Sequence, residues 1–255
     1  MKKSIYLVIA LIGLISLMLM GSSCRIIGTG KIVSQEYNYK DFTNVEISNA
    51  FKYEISRSDS FSVKAATHEN IIDRLDVTVS GNTLIVRFKA GVFSTDASVV
   101  ITMPGLNKLV VSGASRGNAR GFKSSNALDL EVSGASQLDM DFEAGNTNIN
   151  VSGASTATGN LKAGDSRIEV SGASGCNIKG SASQATIEVS GASHFDSPEL
   201  QMQNTDIKVS GASRADIYTR GTLNLEVTGA STLDYSGNPI LSKVNVSGAS
   251  KLNSK

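Results

Sequence analysis

The sequence predicts an all-β protein built as a parallel β-helix, a β-solenoid with coils of about 19 residues. Three observations predict it. A five-residue string, Val-Ser/Thr-Gly-Ala-Ser, begins at Val111, Val132, Val151, Val170, Val189, Val209, Val227 and Val246, in steps of 18 to 21 residues. Two positions before each Val stands another aliphatic (Leu109, Leu130, Ile149, Ile168, Ile187, Ile207, Leu225, Val244), and the residue between them is polar in seven of eight copies. The composition, with 24 Gly, 3 Pro and no Trp in 255 residues, suits short strands and many turns.

Apolar, polar, apolar at a period of two is a strand with one buried face; on a helix the two aliphatics would point to opposite sides. The Gly-Ala pair permits a bend. Two residues past the string come Gly117, Leu138, Ala157, Cys176, Phe195, Ala215, Leu233 and Leu252, and three past it an Asn or Asp in seven of eight copies. Such short polar side chains bond local backbone amides and suit turns. A coil is therefore a strand, a bend, a second short strand and a variable return. One coil buries too little apolar surface to fold alone, so stability has to come from stacking. At ~4.8 Å per coil, eight coils make a rod of roughly 35–40 Å with Val on Val and Asx on Asx. A propeller fits less well, because its blades need ~40–45 residues.

The repeats occupy residues 105–255. Residues 24–104 read as an all-β region that caps the solenoid or runs into it, because eight of the fourteen aromatics lie there. Alternating runs recur at 45–47, 51–55, 61–65, 77–79, 84–88 and 98–103, and 69–75 suits a short helix. Ile47-Ser48-Asn49-Ala50-Phe51 reads as a degenerate copy of the repeated string. Terminal units of such arrays are expected to be atypical.

Residues 1–23 read as an export signal. Lys2 and Lys3 precede an uncharged apolar run from Ile5 to Met20, then Gly21, Ser22, Ser23 and Cys24. The run is shorter than the ~20 apolar residues of a membrane span. The small residues before Cys24 resemble a bacterial lipobox, with Gly21 where Leu is usual, which makes Cys24 the expected lipidation site and the membrane a partner. A plain secretory signal cut near Cys24 is the alternative. With Cys24 lipidated, Cys176 has no partner for an intramolecular disulfide.

Gly28-Thr29-Gly30, Asp41-Phe42-Thr43-Asn44-Val45, Leu75-Asp76-Val77 and the repeated string resemble the putative auto-transporter adhesin head GIN domain family of Bacteroidetes. The resemblance covers nearly the whole mature chain. It implies a right-handed coil, an outer-membrane lipid-anchored protein and no established catalytic residues. Surface-exported lipoproteins of that group often carry acidic residues after the cysteine; here Arg25, Ile26, Ile27 and Gly28 follow, which leaves the surface and periplasmic faces both open.

Little in the sequence suggests catalysis. A net charge of +1 with scattered Lys and Arg gives no footprint for nucleic acid. The two histidines, His68 and His194, have no metal-ligand spacing. Asp196, Asp216 and Asp234 should stack on consecutive coils, where like charges ~5 Å apart need a cation, a proton or a donor. They are the candidate contacts for Ca2+ or glycan, or an acid cluster of a polysaccharide hydrolase or lyase; the bland reading is a row of turn-forming side chains. The Glu row, with Glu169 and Glu188, is interrupted by Asn150 and Lys208 and reads as charge management on an exposed face. The leading expectation is a non-enzymatic envelope lipoprotein, an adhesin or a module binding a polysaccharide or envelope protein. The alternatives are a polysaccharide-active enzyme using the Asp row, and a structural or homo-oligomeric assembly module with an open end at residues 246–255.

Overall fold

The computed structural model describes residues 26–93 and 96–255; the expected signal segment and Cys24 lie outside the described residues. The fold is a β-solenoid, 65% strand and 3% helix, with coils about 19 residues apart.

The first face of the solenoid is the ladder of strands that precede the repeated string. Leu109, Leu130, Ile149, Ile168, Ile187, Ile207, Leu225 and Val244 stand in parallel register, as do the eight Val residues that open the strings. All but those of the last coil are buried. The second face follows the bend and stacks Gly117, Leu138, Ala157, Cys176, Phe195, Ala215, Leu233 and Leu252. In the middle coils one continuous strand (Thr156–Val170, Gly175–Val189 or His194–Val209) carries the chain from the second face across a third and into the first.

Every letter of the string has a backbone reason. In the coil of Val170, Ser171 N–H donates to Val151 C=O at 2.9 Å and Ala173 N–H to Gly153 C=O at 2.8 Å. Gly172 sits at φ +80°, and a Cβ there would lie 2.5 Å from Gly153 O. The closing Ser turns inward: Ser155 N–H donates to Ser174 Oγ at 3.3 Å, and the same bond links Ser136 to Ser155, Ser174 to Ser193, and Ser193 to Ser213. These serines are at most 3% exposed, so this row satisfies buried donors and offers no hydroxyl to a ligand.

Departures from a 19-residue step are bulges. The longest step is absorbed partly at Gly121, where Arg120 faces Asp141 and Phe122 faces Phe142. In the coil of Phe195 the register shifts between Cys176 and Gly180, alongside Pro198, a residue that cannot donate to a ladder.

Gly117 breaks the apolar column of the second face for a packing reason. Tyr53, from the adjacent layer, is 4% exposed and its hydroxyl donates to Gln137 C=O at 2.8 Å, past the space a side chain at 117 would fill. A Cβ on Gly117 would overlap the Tyr53 backbone and ring.

Residues 26–103 add two more layers and a lid. Asn44–Ile47 pairs with Lys108–Val111 and Lys52–Arg57 with Arg116–Lys123, so Ile47-Ser48-Asn49-Ala50-Phe51 occupies the bend of a repeat. Asn49 takes the left-handed conformation at φ +69°, which Asn tolerates better than most residues. Thr83–Phe88 and Ser98–Met103 form the layer beyond. Antiparallel strands then close both ladders: Leu75–Ser80 on one, Ser62–His68 and Ile32–Tyr37 on the other. A 3-10 helix at Glu69–Arg74 buries Ile71 under this cap. The far end is open: no described strand lies beyond Ile240–Val246 or Lys251–Ser254, and Ile240 and Val244 are 72% and 50% exposed.

Gly172→Ala should therefore lower stability by about 1–3 kcal/mol through backbone strain, read as a lower denaturant midpoint; an unchanged midpoint would mean the bend ladder is not under this constraint.

Candidate functional site

The second face brings the three expected carboxylates into one row: Asp196 faces Asp216, Asp216 faces Asp234, and Asp234 faces Asn253. Parallel pairing of strands that enter from the same bend leaves these side chains no alternative register. The column beside them reads His194, Arg214, Thr232 and Lys251.

The row is graded in burial. Asp196 is exposed, Asp216 is half-buried and Asp234 is 3% exposed. Positive charge enters from two sides. Arg214 Nη2 donates to Asp234 Oδ2 at 2.6 Å, one coil away from its own Asp216. Lys255 pairs with Asp216 and reaches Asp234 at 3.6 Å. Asn253 Nδ2 donates to the other Asp234 oxygen at 2.7 Å. Asp216 Oδ1 is left buried without a partner.

This arrangement decides the chemistry of Asp234. Burial, the largest single influence, resists its ionisation, but the Asn253 hydrogen bond, Lys255 and Arg214 together outweigh it and hold the carboxyl below its ordinary value. Asp216 bonding raises the Lys255 ammonium in turn. A general acid for glycoside cleavage needs the opposite, a carboxyl kept protonated near neutral pH. The buried end of the row is a clamp that ties the last coil to the two before it. Among the described residues no group of three or more His, Cys, Asp or Glu is placed to hold a metal ion.

The other singled-out residues are structural. Glu169 pairs with Arg167, and Lys208 lies 3.7 Å from Glu226, on the solvent side of the first face. Cys176 is 3% exposed and burial pushes its thiol up to about 12, so it is not a nucleophile at neutral pH. His68 gained a role that its isolation in the sequence hid. Its Nδ1 lies 3.0 Å from Gly30 O and its Nε2 3.6 Å from Asp96, while Asn70 bonds both Ile27 O and Thr29 N at 2.9 and 2.8 Å. Together they strap residues 27–30 onto the cap. The contacts to residues 27–30 span 38 to 43 residues of sequence, and no local pattern announces them.

Fold and site together define a capped β-solenoid in which the buried end of the Asp row, Asp216 and Asp234, is neutralised from within. The chain belongs to the family described as putative auto-transporter adhesin, head GIN domain, which matches residues 41–239. Solved structures share the fold at low identity. A putative adhesin from Parabacteroides distasonis is 19% identical with a TM-score of 0.80, over 90% of this chain and 99% of that one. A protein of the same species described as a putative lipid binding protein is 17% identical with a TM-score of 0.86, over 91% and 99%. A putative adhesin from Bacteroides fragilis is 17% identical with a TM-score of 0.70, over 90% and 100%. No curated protein matches the chain.

The clamp has a pH signature. Because the folded pKa of Asp234 lies below its unfolded value of about 3.9, its stabilisation is present above that value and is lost as pH falls through the folded pKa. Hydrogen-exchange protection of residues 251–255 should fall in that acid range. In Asp234→Asn it should already be weak at neutral pH and change little on acidification; an unaltered acid profile in the variant would remove Asp234 from the clamp.

Proposed function

We propose that this chain is a non-enzymatic, exported envelope protein, lipid-anchored through Cys24, whose solenoid presents rigid polar faces to a glycan or protein partner in the manner of an adhesin. The observation that carries this reading is the contrast between inside and outside. The inward columns are filled with apolar side chains, while the outward ones are straight rows of Glu, Asn, Lys, Thr and Gln repeated once per coil. A surface that repeats every ~4.8 Å suits a ligand that repeats as well. The adhesin descriptions of the family and of several neighbours support the same direction. The engagement of Asp234 by Arg214, Asn253 and Lys255 speaks against its serving as the general acid of a hydrolase, since it is held ionised. A lipid ligand, named in the description of one neighbour, would have to bind outside the coils, because Leu138, Phe195 and Leu233 fill the interior. Among the described residues no helix is long and apolar enough to cross a membrane.

A second reading, an assembly module, is favoured by the open end. Leu241, Val244 and Val246 continue the core columns of Leu223, Leu225 and Val227 yet are 41–50% exposed, and both ladders end in unpaired backbone groups.

Protease treatment of intact cells tests the adhesin reading. The solenoid should be cleaved while a periplasmic control survives. Protection until the outer membrane is breached would move the protein to the periplasmic face and end the adhesin assignment.

A further inference from the structure

The third face carries a depression that neither the repeated string nor the Asp row involves. Its floor is a column of small residues running into a larger one, Ala163 facing Ala182 and Ala182 facing Met202, the last two buried. One wall is the outward pair Ser181 and Gln201, and Tyr218 continues their column in the next coil. The other is Ser183, Gln203 and Arg220, the last placed by its N–H donating to Met202 C=O at 3.0 Å. No carboxylate lines the depression.

Arg220 is held for recognition rather than for an ion pair. Its guanidinium carbon lies 5.5 Å from the Tyr218 ring centroid and its Nε donates to the Tyr218 hydroxyl at 3.2 Å. Arg57, Arg87, Arg120, Arg167 and Arg214 each pair with an Asp or Glu, whereas Arg220 has no carboxylate partner among the described residues. Stacking and one hydrogen bond fix the planar fork and leave Nη1 and Nη2 for a planar two-oxygen anion. Gln201 and Gln203 add amides that both donate and accept, the capacity sugar hydroxyls require, and Ser181 and Ser183 repeat that polarity one coil away.

We propose that this depression binds the carboxylate-bearing unit of an acidic sugar chain, with Arg220 taking the carboxylate and Gln201 and Gln203 the adjoining hydroxyls. The inference rests on the glycan-binding reading above and names its ligand class. Affinity electrophoresis or calorimetry of the full chain tests it with three probes at near-physiological salt: polygalacturonate, its methyl-esterified form and dextran. Polygalacturonate should bind, and both esterification and Arg220→Ala should weaken binding about tenfold or more, the scale of a charge-assisted hydrogen bond. Arg220→Lys should recover only part of it. Gln203→Ala, which leaves the Arg220–Tyr218 stack in place, should weaken it a few-fold, and Arg116→Ala on the second face should leave it unchanged. Equal losses in Arg116→Ala and Arg220→Ala would reduce the effect to bulk charge and overturn the site. Binding to dextran that ignores Arg220 would overturn the site while keeping the glycan reading. Binding to none of the probes would overturn this ligand class, and failure across neutral and acidic glycans generally would remove the glycan reading with it.

Discussion

The bend at Gly-Ala-Ser is the constraint on which the rest of the molecule depends. A parallel coil stacked directly on its neighbour brings backbone within contact distance at the corner, and from Gly153 onward a Cβ on the bend glycine would strike the carbonyl of the neighbouring coil. Once that corner is set, the amides of one coil find the previous coil's carbonyls at 2.7–3.0 Å, and every side chain on the adjoining strands is assigned inward or outward by pleat alone. The buried serine completes the corner by accepting a backbone N–H that would otherwise be left unpaired in the core.

From that corner the charges and the ends follow. Strict register forces Asp216 over Asp234, so the solenoid must bring its own counter-charges, and Arg214 and Lys255 reach across coils to supply them. The same stacking has no natural stop. At one end residues 26–103 provide it, by adding strands of opposite direction and a 3-10 helix over the last apolar layer. At the other, the core columns run out into solvent at Leu241, Val244 and Val246.

How much of this was legible in the sequence depended on whether a residue serves the backbone or a distant side chain. The coil, its two faces and the Asp row could be read because each repeat carries the same residue at the same offset. The copy at residues 47–51 was legible for the same reason, with Asn49 standing in for the glycine. The glycine at 117 has no reason within its own repeat; Tyr53 occupies its place from the adjacent layer. The pairing of Arg214 with Asp234 rather than Asp216, the strap made by His68 and Asn70, and the Arg220–Tyr218 stack all lie between residues whose proximity only the fold creates. The return segment that holds Arg220 has no repeated signature, because bulges such as that beside Pro198 change its length from coil to coil.

A solenoid that acts as proposed above binds its ligand without altering it. The most direct measurement is the chain length of a polysaccharide recovered after saturating incubation with the purified protein. Saturable binding with recovery of the polymer at its original length is the predicted result; progressive shortening, or the appearance of new reducing or unsaturated ends, would contradict it and return the Asp row to the centre of the chemistry.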